Sequence, residues 1–96
     1  MMIALIASIR VAPANAETLE REFATLADHV RANEPDTLVY HLARGPEAGT
    51  YRVIEIYRNE EAIRAHLGSD AFKSFRPKLG EMLLEPPATE KLEVAV

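Results

Sequence analysis

The chain has no cysteine. A disulfide framework, a thiolate nucleophile and a cysteine-based metal site are therefore excluded, and a reducing, cytoplasmic location is the expectation. Blocks of like charge are also missing. The 11 Lys and Arg and the 15 Asp and Glu are scattered, for a formal net charge of -4. Nucleic acid and anionic membrane surfaces are held by clustered cations, so neither is an expected partner. No apolar run approaches the roughly 20 residues that a membrane-spanning helix needs. The chain carries no GxGxxG, GxxxxGK[ST] or GxSxG, so the usual phosphate-loop and hydrolase signals are absent. Its three histidines, His29, His41 and His66, contain no pair at i, i+3 or i, i+4. Without cysteine they form no recognisable ligand set, and no metal is expected. There is no internal repeat and no low-complexity linker.

What is present is 96 residues, 48% of them apolar. That is a globular composition, and too short for two independent cores, so residues 1–96 are expected to form a single domain. The apolar opening MMIALIASIR has no Lys or Arg before it, and Arg10 interrupts it ahead of the A-x-A-like ending in APANA. It reads as a buried strand rather than a signal peptide.

Residues 2–11 are rich in apolar and β-branched side chains on both faces, which predicts a strand with both faces covered. Asn15 stands as an N-cap, with Glu17 in the first turn. Leu19, Phe23, Leu26 and Val30 then recur at helical spacing up to about Asn33, where Pro35 stops the helix. Residues 37–44 and 50–58 alternate as the two arms of a hairpin around the five-residue turn GPEAG. Asn59 caps a second helix, with Ala62, Ile63, His66 and Leu67 on its inner side. Gly68 suits a left-handed C-terminal position. Ser69 caps a further helix bearing Phe72, Phe75 and Leu79, which Pro77 is expected to kink or end. After Pro86-Pro87, residues 89–96 alternate as a last strand.

The order β-α-β-β-α-β is the ferredoxin-like arrangement of the α+β class. Right-handed crossovers place both helical segments on one face of a four-stranded antiparallel sheet. The other face is bare, yet it is apolar: Val53 and Tyr57 point one way, Ile54 and Ile56 the other. An open apolar face of that size is a partner site, and the simplest partner is a second copy related by a twofold axis. A homodimer through the open sheet face is the expectation.

Longer stretches carry a family resemblance. The strand IASIRVAPA, the turn Glu34-Pro35-Asp36 leading into Tyr40-His41-Leu42, and above all IEIYRNEEAIRAHLGSDAFKSF resemble the antibiotic biosynthesis monooxygenase family of the dimeric α+β barrel superfamily. Glu55, Tyr57, Glu60, Glu61, Ala62, His66, Leu67, Ser69, Phe72 and Phe75 carry the match. Two departures stand out. Many relatives place a histidine directly before the phenylalanine, where this chain has Ala71. Haem-degrading relatives carry a tryptophan, a haem-ligating histidine and a first-strand asparagine where this chain has His66, Arg76 and Ile9, so haem binding in that manner is not implied.

The resemblance implies a small cofactor-independent oxygenase acting on an electron-rich phenol, hydroquinone or anthrone. A non-catalytic dimeric module that binds a small aromatic ligand, and a proton-transfer isomerase on the same fold, are the competing readings. His66 is the candidate catalytic base, because histidine ordinarily titrates near neutral pH. Its structural alternative is a bond to a backbone carbonyl near Gly68 that holds the helix junction. Tyr40 and Tyr57 are candidates to orient substrate oxygens, and Phe72 and Phe75 to wall an apolar pocket. Glu55 lies among apolar neighbours, where a charge needs a partner. Arg52, Arg44, Arg10 or an arginine of a second subunit could pair with it, or it could orient substrate or His66. His41 faces either the pocket or the partner sheet. His29 lies off the apolar stripe of its helix and reads as a surface residue. Arg76 and Lys78 are either solvated or placed to neutralise a phenolate at the pocket mouth.

Overall fold

The computed structural model describes residues 1–96. The chain order is β1 (Ile3–Arg10), a short 3-10 turn (Pro13–Asn15), α1 (Ala16–Asn33), β2 (Thr37–Arg44), β3 (Thr50–Tyr57), α2 (Glu60–Leu67), α3 (Asp70–Met82) and β4 (Ala88–Glu93). The strands form one sheet in the order β2-β3-β1-β4, and every neighbouring pair is antiparallel. This is the ferredoxin-like α+β fold.

Because side chains alternate across a strand, the register decides what meets what. Ile3, Leu5, Ala7 and Ile9 of β1 stand beside Tyr57, Glu55, Val53 and Tyr51 of β3. Tyr40 and Leu42 of β2 complete this row, opposite Glu55 and Val53. Helix α1 lays Leu19, Phe23, Leu26, Ala27 and Val30 on it, and α3 adds Phe75 and Met82. Both helices are anchored by the periodicity that predicted them. The other face consists of Ala4, Ile6 and Ser8, Arg52, Ile54 and Ile56, Val39, His41 and Ala43, with Ala88, Glu90 and Leu92 at the β4 edge. None of these side chains is buried.

Local expectations were corrected at four places. Gly68 is right-handed (φ -87°, ψ -5°). Its N–H bonds the Arg64 carbonyl, and Ser69 closes on the His66 carbonyl through both its N–H and its hydroxyl, so no left-handed residue is needed. Helix α3 neither stops nor breaks at Pro77 but runs on to Met82. Pro77 and Lys73, one turn apart, are both exposed, so the backbone bond is lost on the outer side of the helix and not against the core. Asn15 occupies the N-cap position but makes no side-chain capping bond, because the preceding 3-10 turn already leads into the helix. The last strand ends at Glu93 rather than Val96. By contrast, Asn59 and Ser69 do cap their helices, accepting from the N–H groups of Ala62 and Phe72.

The position that does require glycine is Gly49, with φ +84° at the end of the hairpin loop. A Cβ there would lie 2.2 Å from the Val11 carbonyl oxygen. The loop is thereby packed onto the end of β1, where the Val11 N–H donates to the Gly49 carbonyl at 2.9 Å.

One ion cluster ties α1 to the hairpin. Arg44 donates twice to Glu20, at 2.7 and 3.0 Å. The Tyr51 hydroxyl donates to the same carboxylate at 2.7 Å. These bonds, the Arg44 pair first, hold the Glu20 carboxyl down to about 2. A depressed folded-state value stabilises the fold above the unfolded-chain value, near ~4.3, and that contribution is lost as pH falls towards about 2. Glu20→Gln is therefore expected to flatten the fall in melting temperature over that acid window. An unchanged acid limb in the variant would show that Glu20 does not contribute to it.

Candidate active site

Helix α1 ends where Pro35 forbids the preceding residue a helical conformation, leaving Glu34 at φ -122°, ψ 79°. From there the Glu34 carboxylate accepts from the Thr37 hydroxyl at 2.9 Å. It also lies 2.9 and 3.2 Å from Nδ1 of His66. His66 sits in the last turn of α2 and is 0% exposed. Tyr40 meets its ring edge-on at a centroid distance of 4.9 Å, Phe72 lies at 4.9 Å and Tyr57 at 5.7 Å.

Glu55 lies beside Tyr40 in the sheet. The Tyr57 hydroxyl donates to it at 2.5 Å. Burial lifts the Glu55 carboxyl above the usual carboxylate range, against the opposing pull of that hydrogen bond and of the nearby His66. Burial first, and then the neighbouring carboxylates, push the Tyr40 and Tyr57 hydroxyls well above the usual phenol range. Both are neutral phenols at any physiological pH, able to orient an oxygen but not to serve as acids.

The other imidazole nitrogen is the unusual atom. His66 Nε2 is buried and has no hydrogen-bond partner, and it is the one buried side-chain nitrogen or oxygen in the chain of which this is true. An unmet buried polar group costs about 1–3 kcal/mol, and folded proteins rarely leave one without a reason.

His66, Tyr40, Tyr57, Glu55 and Phe72 are brought together, as the sequence suggested. Phe75 is one layer away. It packs edge-on against Phe23 at 6.0 Å, and Phe23 in turn stacks on Tyr40 at 5.1 Å. The rings pack against one another rather than around an open pocket. A crevice of about 350 Å³ opens instead on the far side of Glu34, lined by Asn33, Asp36, Thr37, Glu61 and Ala65 among others. No arginine of this chain pairs with Glu55: Arg10 and Arg44 are engaged by Glu85 and Glu20, and Arg52 stands on the opposite face of the sheet, donating to the Tyr51 carbonyl. The His66 ring bonds Glu34 and not a backbone carbonyl. His41 is on the bare face, with Arg31 of α1 reaching to within 3.4 Å of it around the sheet edge. His29 is half-buried beside Asn33. Lys78 pairs with Glu22, and Arg76 is exposed. No three His, Asp or Glu side chains converge as a metal site.

Glu34 is the residue that sequence reasoning missed. The Glu-Pro pair after a helix was visible, but it marks a helix stop. Nothing in a spacing of 32 residues connects it to His66.

The match to known proteins extends over the chain. Residues 2–78 match the family model for antibiotic biosynthesis monooxygenases. A candidate antibiotic biosynthesis monooxygenase of Caulobacter crescentus is similar at 38% identity and a TM-score of 0.94, over 99% of this chain and 91% of that one. A Pseudomonas aeruginosa protein is 28% identical, with a TM-score of 0.86 over 99% of this chain and 95% of that one. A Mycobacterium tuberculosis protein is 25% identical, with a TM-score of 0.90 over 100% and 97%. No curated protein matches. On the length of the family match and the 38% identity at full coverage, this chain belongs to the antibiotic biosynthesis monooxygenase family.

Proposed function

We propose that the chain is a single-domain, homodimeric monooxygenase that uses no bound cofactor and acts on a neutral, electron-rich hydroxylated aromatic of the hydroquinone, phenol or anthrone type. The observation that carries this reading is His66 Nε2, an unpartnered base atom buried among aromatic rings. A substrate hydroxyl there would satisfy it. Taking that proton at Nε2 leaves an electron-rich anion, which can reduce O₂ without help from a metal or flavin. One oxygen atom enters the substrate and the other leaves as water, the substrate supplying all four electrons.

The surroundings fit such a substrate. The Tyr40 and Tyr57 hydroxyls are neutral and can orient its oxygens, and the burial that lifts Glu55 favours entry of a neutral substrate, whose anion then forms paired with the protonated His66. Phe72 is half-buried while Tyr40, Tyr57 and His66 are buried, and its ring forms one wall of the cluster. Phe75 backs the cluster through Phe23. Exclusion of water follows from the packing and protects the anion, once formed, from side reactions.

Oxygen uptake by the chelator-treated protein tests the reading, against a panel of hydroquinones and anthrones. The expected result is one O₂ consumed per substrate, above the protein-free rate and insensitive to chelator. Turnover of an oxygenated substrate without O₂ would replace this reading with a proton-transfer isomerase. Thermal stabilisation by an aromatic ligand with no turnover would replace it with a binding module.

A further inference from the structure

The two nitrogens of His66 look into different surroundings. Nε2 is sealed among aromatic rings without a partner, whereas Nδ1 meets Glu34. Glu34 in turn is 12% exposed on its side chain and forms part of the wall of the crevice between the end of α1 and α2. The carboxylate can only accept a hydrogen bond, so the proton on Nδ1 is dictated by its partner. The Thr37 hydroxyl donates at 2.9 Å to Oε1, the same carboxylate oxygen that lies nearest Nδ1, and so fixes it in place.

We propose that Glu34 is the positioning residue of the reaction proposed above: it holds the buried imidazole in the Nδ1–H form, turns the Nε2 lone pair into the aromatic cluster, and balances the positive charge when Nε2 takes a substrate proton. A histidine side chain free in water favours the opposite form, with its proton on Nε2, the nitrogen that here must be the base. An imidazole left to itself in this site would offer a donor where the chemistry needs an acceptor. The proton moves only between the substrate oxygen and Nε2. The O–H bond breaks as Nε2–H forms, and the same proton is available for the water released later. Glu34 itself takes no proton. The groups that face the imidazole are Glu34 from the α1–β2 turn, Tyr40 from β2, Glu55 and Tyr57 from β3, and the ring of Phe72 from α3.

This inference rests on the monooxygenase reading for the word reaction, but its geometry is testable alone. The ¹⁵N shifts of the histidine rings at alkaline pH report which nitrogen carries the proton, with His29 and His41 as references in the same spectrum. The expected result is a protonated Nδ1 and an unprotonated Nε2 for His66, with the balance moving towards Nε2–H in Glu34→Ala. Wild-type His66 protonated on Nε2 overturns the inference whatever the enzyme does. Turnover then separates positioning from packing. Glu34→Gln, which keeps shape and a hydrogen bond but loses the charge, is expected to lower kcat roughly 10- to 100-fold with little change in KM, and Glu34→Asp to recover part of it. Normal kcat in Glu34→Gln, with the expected ring protonation in wild type, overturns the catalytic role while leaving the monooxygenase reading standing. An absence of turnover in wild type strikes the functional reading instead, and the ring shifts still decide which nitrogen carries the proton beside Glu34.

Discussion

His66→Phe is expected to lower oxygenase turnover by at least about 10²-fold while leaving the fold intact. The loss follows from removing the only unpartnered base atom inside the ring cluster. The survival of the fold follows from how poorly that atom is served. Replacing the imidazole removes a buried group that costs about 1–3 kcal/mol unsatisfied. It also removes the contact with Glu34, but that carboxylate keeps Thr37 and its opening to the crevice. The two changes oppose each other, so net stability should move by no more than about 2 kcal/mol, including the slightly larger ring. His66→Leu is the smaller alternative if Phe overfills the site. His66→Ala is a poor probe on its own. It opens a cavity beneath Tyr40, Tyr57 and Phe72, and truncations of large buried rings cost about 3–5 kcal/mol. Melting curves and oxygen uptake on the same preparations decide the matter. A stable variant with undiminished turnover would remove His66 from the mechanism. Collapse of both Phe and Leu variants would show that the imidazole is retained for packing.

Ile54→Lys should convert a dimer into a folded monomer. Ile54 lies mid-strand on the bare face, directly beside Ile6 on one side and His41 on the other. Around it Ala4, Ile56, Val39 and Leu92 leave a largely apolar surface without cover in the lone chain. A twofold sheet-to-sheet contact would bury two copies of the substituted residue close to each other. Desolvating each ammonium costs several kcal/mol, and the like charges repel. In the monomer the same lysine is merely solvated, so secondary structure should persist. Light scattering should give about twice the 10.7 kDa chain mass for wild type, and the single-chain mass for the variant. A wild-type protein that scatters as a monomer at micromolar concentration would rule out the second copy as the occupant of this face.

The elements were legible because their signals are local. The steps from Leu19 to Val30 describe one helical stripe, and that stripe is the buried face of α1. Asn59 and Ser69 announce helix starts, since their short polar side chains satisfy the first N–H groups. The misjudged details were those in which neighbours overrule a residue's own preference. Gly68 can adopt a left-handed conformation, but the Ser69 bonds to His66 make it unnecessary. Proline disfavours a helix interior, but Pro77 lies on the exposed side of α3, away from the packed residues Phe75 and Met82.

The amino-acid sequence by itself determined the order of strands and helices, the ferredoxin-like topology that follows from it, the surplus apolar face, and the family. The first three depend on periodicity, caps and chain direction, which are short-range properties, and the family on the resemblance of longer stretches. It also singled out as candidates His66, Tyr40, Tyr57, Glu55 and Phe72, which cluster, and Phe75, which lies one layer away. Only the tertiary structure decided what they do to one another. The β2–β3 register set Tyr40 beside Glu55 and turned His41 to the opposite face. The meeting of the α1–β2 turn with α2 gave His66 its carboxylate, Glu34. Hydrogen bonds and desolvation act over a few ångströms of space, whatever the distance along the chain. The pairing that orients the imidazole, and the empty coordination of Nε2, therefore exist only once the chain has folded.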